Sequence, residues 1–266
     1  MECTHRLRAE GGIEGARPAD FGQKSRVGSA AGGKRVSDHL KRITVPRSWN
    51  VGRKAHFWAT KPKPGPHSLE GSVPLAMVLR DYLHVCDTAR EARRILGNGD
   101  VLLDQRVVRD PKRGIGLMDV ISLPAIKANF RCLLDHHGRL HFSEIKGVAA
   151  KWKLLRIEGK TTLRGGKTQL NLHDGSNLLS DKEVNTGDVL QLALPGLNVK
   201  KILKFSKGAP ALVTGGAHVG TIALLEEAVE TRSPRPNVVR FAEFETLKQY
   251  AFVVGAKKAL VEEVAV

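Results

Sequence analysis

The stretch Ser72-Val73-Pro74-Leu75-Ala76-Met77-Val78-Leu79-Arg80-Asp81-Tyr82-Leu83, running on through Thr88-Ala89-Arg90-Glu91-Ala92-Arg93-Arg94-Ile95-Leu96-Gly97 to Leu123, decides the fold. Its opening predicts a helix, with a serine able to cap free N–H groups and a proline in the first turn, where no N–H is needed. Leu75, Val78, Leu79, Tyr82 and Leu83 follow at i, i+3, i+4, i+7 and i+8, the apolar stripe of about three helical turns. Thr88 and Glu91 then have the spacing of a capping box. A second helix is expected there, with Ala89, Ala92, Ile95 and Leu96 inward and Gly97 and Gly99 ending it. Arg90, Arg93 and Arg94 lie three and four apart, so they project as one cationic patch.

Beyond the glycines, Val101-Leu102-Leu103 and Val107-Val108 read as two short β runs joined through Asp104-Gln105-Arg106, with a loop at Asp110-Pro111-Lys112-Arg113-Gly114. A helical hairpin and a β hairpin thus both present Arg and Lys near one edge. That placement favours RNA over a merely solvated basic surface. The pattern Ala89, Ala92, Ile95, Gly99, Val101, Leu103, Asp104 resembles the alpha-L RNA-binding module of ribosomal proteins, pseudouridine synthases and some tRNA synthetases. Its continuation through Gly114, Gly116, Leu117, Met118, Asp119 and Val120 resembles small-subunit ribosomal protein four of the archaeal and eukaryotic "e" type. Gln105 stands where that family usually has glycine. A two-residue hairpin turn needs φ > 0, so a longer or differently shaped turn is expected.

A chain of 266 residues accommodates two or three small domains. Its net charge of +16 attracts polyanions by counterion release, and binding of that kind is steeply salt dependent. Residues 1–60 carry 12 Lys and Arg against 5 Asp and Glu, and residues 61–208 carry 25 against 15. Residues 209–266 carry 6 against 7, so the polyanion should meet the first four fifths of the chain. Cys3, Cys86 and Cys132 have neither disulfide nor zinc-ribbon spacing, which fits a reduced cytosol. No run of 18 apolar residues predicts a membrane span, and the N-terminus lacks the apolar core of a secretory signal.

The first 34 residues are glycine-rich, without helical or strand period, and are expected to be mobile. The resembled family usually begins near Lys34, which makes them either an extension or the product of an upstream start. Gly28-Ser29-Ala30-Ala31-Gly32-Gly33-Lys34-Arg35 comes close to a phosphate loop, but Arg35 replaces the required Ser or Thr and no strand precedes it. Gly159-Lys160-Thr161 and Gly166-Lys167-Thr168 lack the first glycine.

From His39 to Trp58 cations alternate with Trp49, Phe57 and Trp58. Such rings either stack on exposed bases or anchor the segment to the core, while the cations meet phosphates. In the resembled family the segment is an extended arm along ribosomal RNA. Lys61-Pro62-Lys63-Pro64-Gly65-Pro66-His67 reads as an extended spacer, since each proline fixes φ and restricts its neighbour.

From Ala125 to Lys207 short β runs dominate: a hairpin around Asp135-His136-His137-Gly138, a candidate short helix over Val148–Ile157, and strands at Thr168–Leu172, Leu178-Leu179 and Val189–Leu194. His136, His137, His141 and His173 read as solvated turn histidines, because no Cys or carboxylate set completes a metal site. Gln169-Leu170-Asn171-Leu172-His173-Asp174-Gly175 resembles a signature of the family's central domain, and its Asp-Gly pair is first of all a turn. Ala211 to Leu225, with Gly215, Gly216 and Gly220 between two β runs, resembles the KOW motif of an SH3-like barrel. Phe244 to Gly255 resembles the family's terminal signature, and Ala256 to Val266 is expected to be a short helix or tail.

The expected architecture is α+β: an extension (1–36), a basic and aromatic arm with its Pro-rich linker (37–70), an alpha-L module (71–124), a central antiparallel β domain (125–207), a KOW barrel (208–255) and a tail (256–266). The function implied is a non-catalytic constituent of the small ribosomal subunit, in the cytoplasm. Its partners would be small-subunit ribosomal RNA and neighbouring small-subunit proteins, with no cofactor, metal, membrane or small-molecule substrate. The candidate RNA-binding residues are Lys41, Arg42, Arg47, Trp49, Arg53, Lys54, Arg80, Arg90, Arg93, Arg94, Arg106, Arg109, Lys112 and Arg113. The rival is a pseudouridine synthase, but Leu103-Asp104 and Leu134-Asp135 lack the flanks of its catalytic aspartate. A KOW-type transcription factor would not need the basic arm.

Overall fold

The structure, a computed structural model, describes residues 37–180, 183–230, 233–234 and 236–261. The glycine-rich extension and its near match to a phosphate loop lie outside them, as do the last residues of the tail.

The arm folds back on the protein instead of extending away from it. Strand β1 (Leu40–Lys41) pairs antiparallel with β2 (Trp58–Ala59), and the chain between them is drawn inward by Val45 and Trp49. Trp49 is buried and donates its indole N–H to the carbonyl of Ser72 at 2.7 Å. Within the linker, the Lys63 N–H donates to the Lys112 carbonyl at 2.9 Å, and His67 is buried. The prolines therefore lead the chain across the surface to a buried histidine, where a free spacer was expected.

Ser72 does not cap a helix. It opens strand β3 (Ser72–Pro74), and its hydroxyl donates to the Ser68 carbonyl at 2.7 Å. Helix α1 (Leu75–Met77) passes directly into a π turn over Val78–Tyr82, which makes about two turns where three were expected. Its first N–H groups, on Leu75 and Ala76, are satisfied by the carbonyls of Arg113 and Pro111 at 2.9 and 3.0 Å. A tertiary backbone partner thus replaces the expected side-chain cap. Leu75 to Leu79 are all buried, so this segment is enclosed rather than one-faced.

Helix α2 (Ala89–Asn98) forms as its capping box predicts: Glu91 N–H donates to Thr88 Oγ1 at 3.2 Å, and the Glu91 carboxylate accepts from the Thr88 N–H at 3.3 Å. Gly97 lies inside the helix, and Gly99, at φ 87°, ends it. Strands β4 (Leu102–Leu103) and β5 (Arg106–Val107) then form a hairpin. Asp104 and Gln105, at φ 51° and 63°, make a two-residue turn after all. Gln105 tolerates it because its side-chain amide donates to Ser122 Oγ and the Ala150 carbonyl, both at 3.3 Å.

Strand β6 (Gly114–Gly116) returns to pair with β3. Strands β7 (Val120–Leu123), β8 (Ala128–Leu134) and β9 (Leu140–Glu144) complete an antiparallel sheet ordered β5-β4-β7-β8-β9. The pairing of β7 with β8 carries this sheet across the expected boundary at 124–125. Trp49 forms a parallel bridge with Leu140, which docks the arm on the β9 edge.

Residues 148–157 are mostly strand, not helix. After a 3₁₀ turn over Ala149–Lys151, β10 (Trp152–Thr162) begins a second sheet with β11 (Thr168–Leu172), β12 (Asn177–Ser180), β13 (Val189–Ala193) and β14 (Asn198–Leu203). The order is β12-β11-β10-β13-β14, and a register shift at Ile157/Gly159 lets β10 pair first with β13 and then with β11. The third sheet, from β15 (Pro210–Val213), β16 (Ile222–Val229), β17 (Val238–Phe241), β18 (Glu245–Leu247) and β19 (Ala251–Val253), is ordered β18-β17-β16-β15-β19. Beyond it Gly255 bridges Ala259, and no helix forms among the described residues of the tail. Among the described residues the fold is thus mostly β, with α1 and its π turn, α2 and short 3₁₀ turns as its helical parts. Met118 and Leu133 pack with Leu154, Val189, Leu212 and Phe252, so one apolar core joins all three sheets.

Candidate nucleic-acid interface

A buried ionic knot lies where the linker, the β4–β5 turn and the second sheet meet. Lys153, the second residue of β10, lies 2.6 Å from Asp104 in the β4–β5 turn, 3.2 Å from Asp119 before β7 and 3.1 Å from Asp174 in the β11–β12 turn. Asp119 also meets His67 at 3.0 Å and accepts the Gly116 N–H at 3.0 Å. A Cβ on Gly116 would collide with the His67 ring, so glycine there lets the linker close over the knot.

Burial opposes the charge on Lys153, but the carboxylates of Asp119, Asp104 and Asp174 outweigh it and hold the ammonium above its ordinary pKa. Asp119, opposed by burial but faced by Lys153 and His67, is held well below the usual carboxylate range. Asp104 shifts the other way, raised by burial and by repulsion from Asp119. The knot orders linker, hairpin and second sheet in one place.

The candidate cations separate into two groups. Arg42 is buried, donates to the Gly52 carbonyl at 2.7 Å and pairs with Asp81 at 3.1 Å; it holds the arm in place and cannot reach RNA. Trp49 is likewise an internal anchor. Arg80 pairs with Asp81 at 2.8 Å, with little exposure. Arg106 is exposed but donates at 2.8 Å to the Pro195 carbonyl, between β13 and β14, so it ties the first sheet to the second. Arg53 points back at the carbonyls of Ile43 and Pro46, and Lys112 pairs with Asp38 at 3.4 Å.

The remaining candidates are exposed and make no ion pair among the described residues: Lys41, Arg47, Lys54, Arg90, Arg93, Arg94, Arg109 and Arg113. Ala92 and Leu96 bury the opposite side of α2, which turns Arg90, Arg93 and Arg94 outward. The Arg109 guanidinium lies beside Gly99, about 4.0 Å from a Cβ built there, and so extends the patch at the helix end. A second basic groove of about 480 Å³ is lined by Arg47, Arg53, His137 and Arg139. Sequence reasoning missed the last two, because they approach the arm only through the β9 edge.

Of the four histidines, His136, His137 and His141 are exposed, whereas His173 is half-buried, its ring packed against Phe252 at a separation of 5.5 Å. Its expected solvated state is overturned by the packing of the β11–β12 turn beneath the linker. Gly159-Lys160-Thr161 lies within β10, and Gly166-Lys167-Thr168 turns into β11, so neither precedes a helix. Asp104 is bound to Lys153, and Asp135 accepts the next N–H of its own turn, from His136 at 2.6 Å. Both aspartates have structural tasks.

The family model described as Ribosomal family S4e matches residues 126–217, and the RS4NT (NUC023) domain matches residues 33–70. Small ribosomal subunit protein eS4 of Methanosphaera stadtmanae is 44% identical over 227 residues, covering 84% of this chain and 94% of that protein. Its counterpart in Methanothermobacter thermautotrophicus is 43% identical over 228 residues, with the same two coverages of 84% and 94%. The crystal structure of the 30S ribosomal protein S4e from Thermoplasma acidophilum matches with a TM-score of 0.64 at 34% identity, covering 72% of this chain and 99% of that one. Similarity of this extent in both sequence and fold settles the family: the chain belongs to the S4e ribosomal proteins.

Proposed function

We propose that this protein is a structural constituent of the small ribosomal subunit that binds and stabilises folded ribosomal RNA through the open cations of α2, the β4–β6 region and the arm. The observation that carries this reading is the outward row of Arg90, Arg93 and Arg94, free of ion pairs among the described residues. Guanidinium groups in such a row suit phosphates, which position a protein on structured RNA without reading bases. The protein acts as a scaffold on the ribosome and not as an enzyme, beside neighbouring small-subunit proteins.

The arm and linker (37–70) close over an alpha-L module (71–124) whose sheet continues through β8 and β9 into the central β region (125–207), and the near-neutral third sheet (208–255) is a KOW-type unit. Its support is the paired glycines Gly215 and Gly216 between β15 and β16. Near-neutral charge suits that unit to protein neighbours better than to phosphates.

Co-sedimentation with small subunits through sucrose at moderate salt tests the assignment, and a purely free pool would refute it. In the variant with Arg90→Gln, Arg93→Gln and Arg94→Gln, affinity should fall for all structured RNAs, and the salt slope should shrink by about one for each phosphate no longer neutralised. Loss confined to one sequence with the slope unchanged would mean that these residues read bases instead.

A further inference from the structure

Burial of Val45, Trp49 and Ala59 uses the inward positions of the arm, and strand alternation then turns Trp58 out. Phe57 and Trp58 are 65% and 52% exposed, and Ile43 beside them is 61% exposed. Such a cluster of large apolar side chains on the surface of so charged a chain calls for an occupant. The support beneath it is fixed: the Arg42 N–H donates to the Phe57 carbonyl at 2.9 Å, and the Arg42 guanidinium is locked to Asp81 and Gly52.

The two rings meet edge to face, 4.7 Å apart at 83°. The rings are nearly perpendicular and so make a corner, and the His39 ring packs against Trp58 at 5.3 Å and 45°. A cavity of about 410 Å³ opens beside Phe57, lined also by Lys41, Ile43, Arg53, Lys54 and His56. Lys41 Nζ stands 5.6 Å from the Phe57 ring centre. No Asp or Glu occurs from residue 39 to residue 69, while seven Lys and Arg do. An apolar protein surface or a lipid would not require this cationic rim, whereas a base attached to a phosphate matches both parts of it.

Granted an RNA-binding chain, as proposed above, we propose that Phe57 and Trp58 form a stacking corner for one unpaired RNA base, whose flanking phosphates are held by Lys41 and Lys54. The arm then takes single-stranded nucleotides, and α2 takes structured RNA.

Trp58 supplies its own reporter, since Trp49 is buried and Trp152 half-buried. The full-length protein is titrated with oligouridylate and oligoadenylate, and with an RNA duplex of equal length, while tryptophan fluorescence is followed. Single strands should quench the emission, and Trp58→Leu should abolish the quench and weaken single-strand binding roughly tenfold, the scale of one missing base–ring stack. Trp58→Tyr should restore the affinity, and duplex affinity should be unchanged in both variants. Full single-strand affinity in Trp58→Leu, or equal loss for duplex, overturns the stacking corner. The α2 arginine variant separately decides whether the broader RNA-binding reading stands. Protection of Trp58 in assembled subunits without any quench by free RNA also overturns the proposal, in favour of a neighbouring protein.

Discussion

His173 Nδ1 accepts the backbone N–H of Arg156 at 3.2 Å, while Nε2 faces the Leu117 carbonyl at 3.4 Å. This geometry assigns the neutral ring with its proton on Nε2, since a second proton on Nδ1 would meet a donor. Burial, then the neighbouring His67, push the pKa of His173 down from 6.5 to about 4. The unfolded chain therefore takes up a proton that the folded one refuses as pH falls from 6.5 to about 4, and stability drops across that window by about 3 kcal/mol. His173→Gln, which keeps an acceptor and cannot titrate, should flatten this acid limb in urea unfolding. An unchanged limb would refute the assignment.

His67 works in the opposite sense. Burial lowers its pKa, but the charge and hydrogen bond of Asp119 more than offset that and raise it above 6.5. Its contribution to stability is complete below pH 6.5 and fades as pH rises through the folded value. His67→Asn should be less stable than the parent near pH 6, and the gap should narrow toward alkaline pH. A gap independent of pH would mean that His67 acts by packing alone.

Removing Lys153 leaves three carboxylates facing one another in the knot. Breaking a buried charge pair from one side costs about 3–5 kcal/mol, so Lys153→Met should lower the urea midpoint by that equivalent. Adding Asp119→Asn should recover part of the loss, because the remaining carboxylates then repel less. Additive losses in the double variant would show that the two groups are not coupled.

Much of this is legible in the residues, though not always for the reason the residues suggest. Helix α2 follows from Thr88, Glu91 and Gly99 alone, because caps act locally. Helix α1 starts later than its sequence predicts because its first N–H groups are satisfied by Pro111 and Arg113, distant in sequence, which frees Ser72 to join a strand. Asp104, Asp119 and Asp174 all stand within the motifs that carry the family resemblance. Their shared partner Lys153 is signalled only by a lysine among the apolar Trp152, Leu154 and Leu155. Arg42 and Trp49 show the limit of reading cations and rings along a chain. Alternation says which residues can face out, but only the fold of the arm against Asp81 and Ser72 decides which do.

The β4–β5 turn separates backbone strain from side-chain bonding at a single position. Gln105 holds φ 63°, a region that costs an ordinary residue about 1–2 kcal/mol, and its amide bonds to Ser122 and Ala150 offset this. Gln105→Ala keeps the strain and loses both bonds, so it should destabilise the protein by about 1–2 kcal/mol in urea unfolding. Gln105→Gly loses the same bonds but relieves the backbone, and should lie about 1 kcal/mol above the alanine variant, close to the parent. The expected order is parent and glycine together, with alanine below. If alanine matched glycine, the turn would carry no strain, and the glutamine bonds alone would explain how this hairpin keeps its two-residue form.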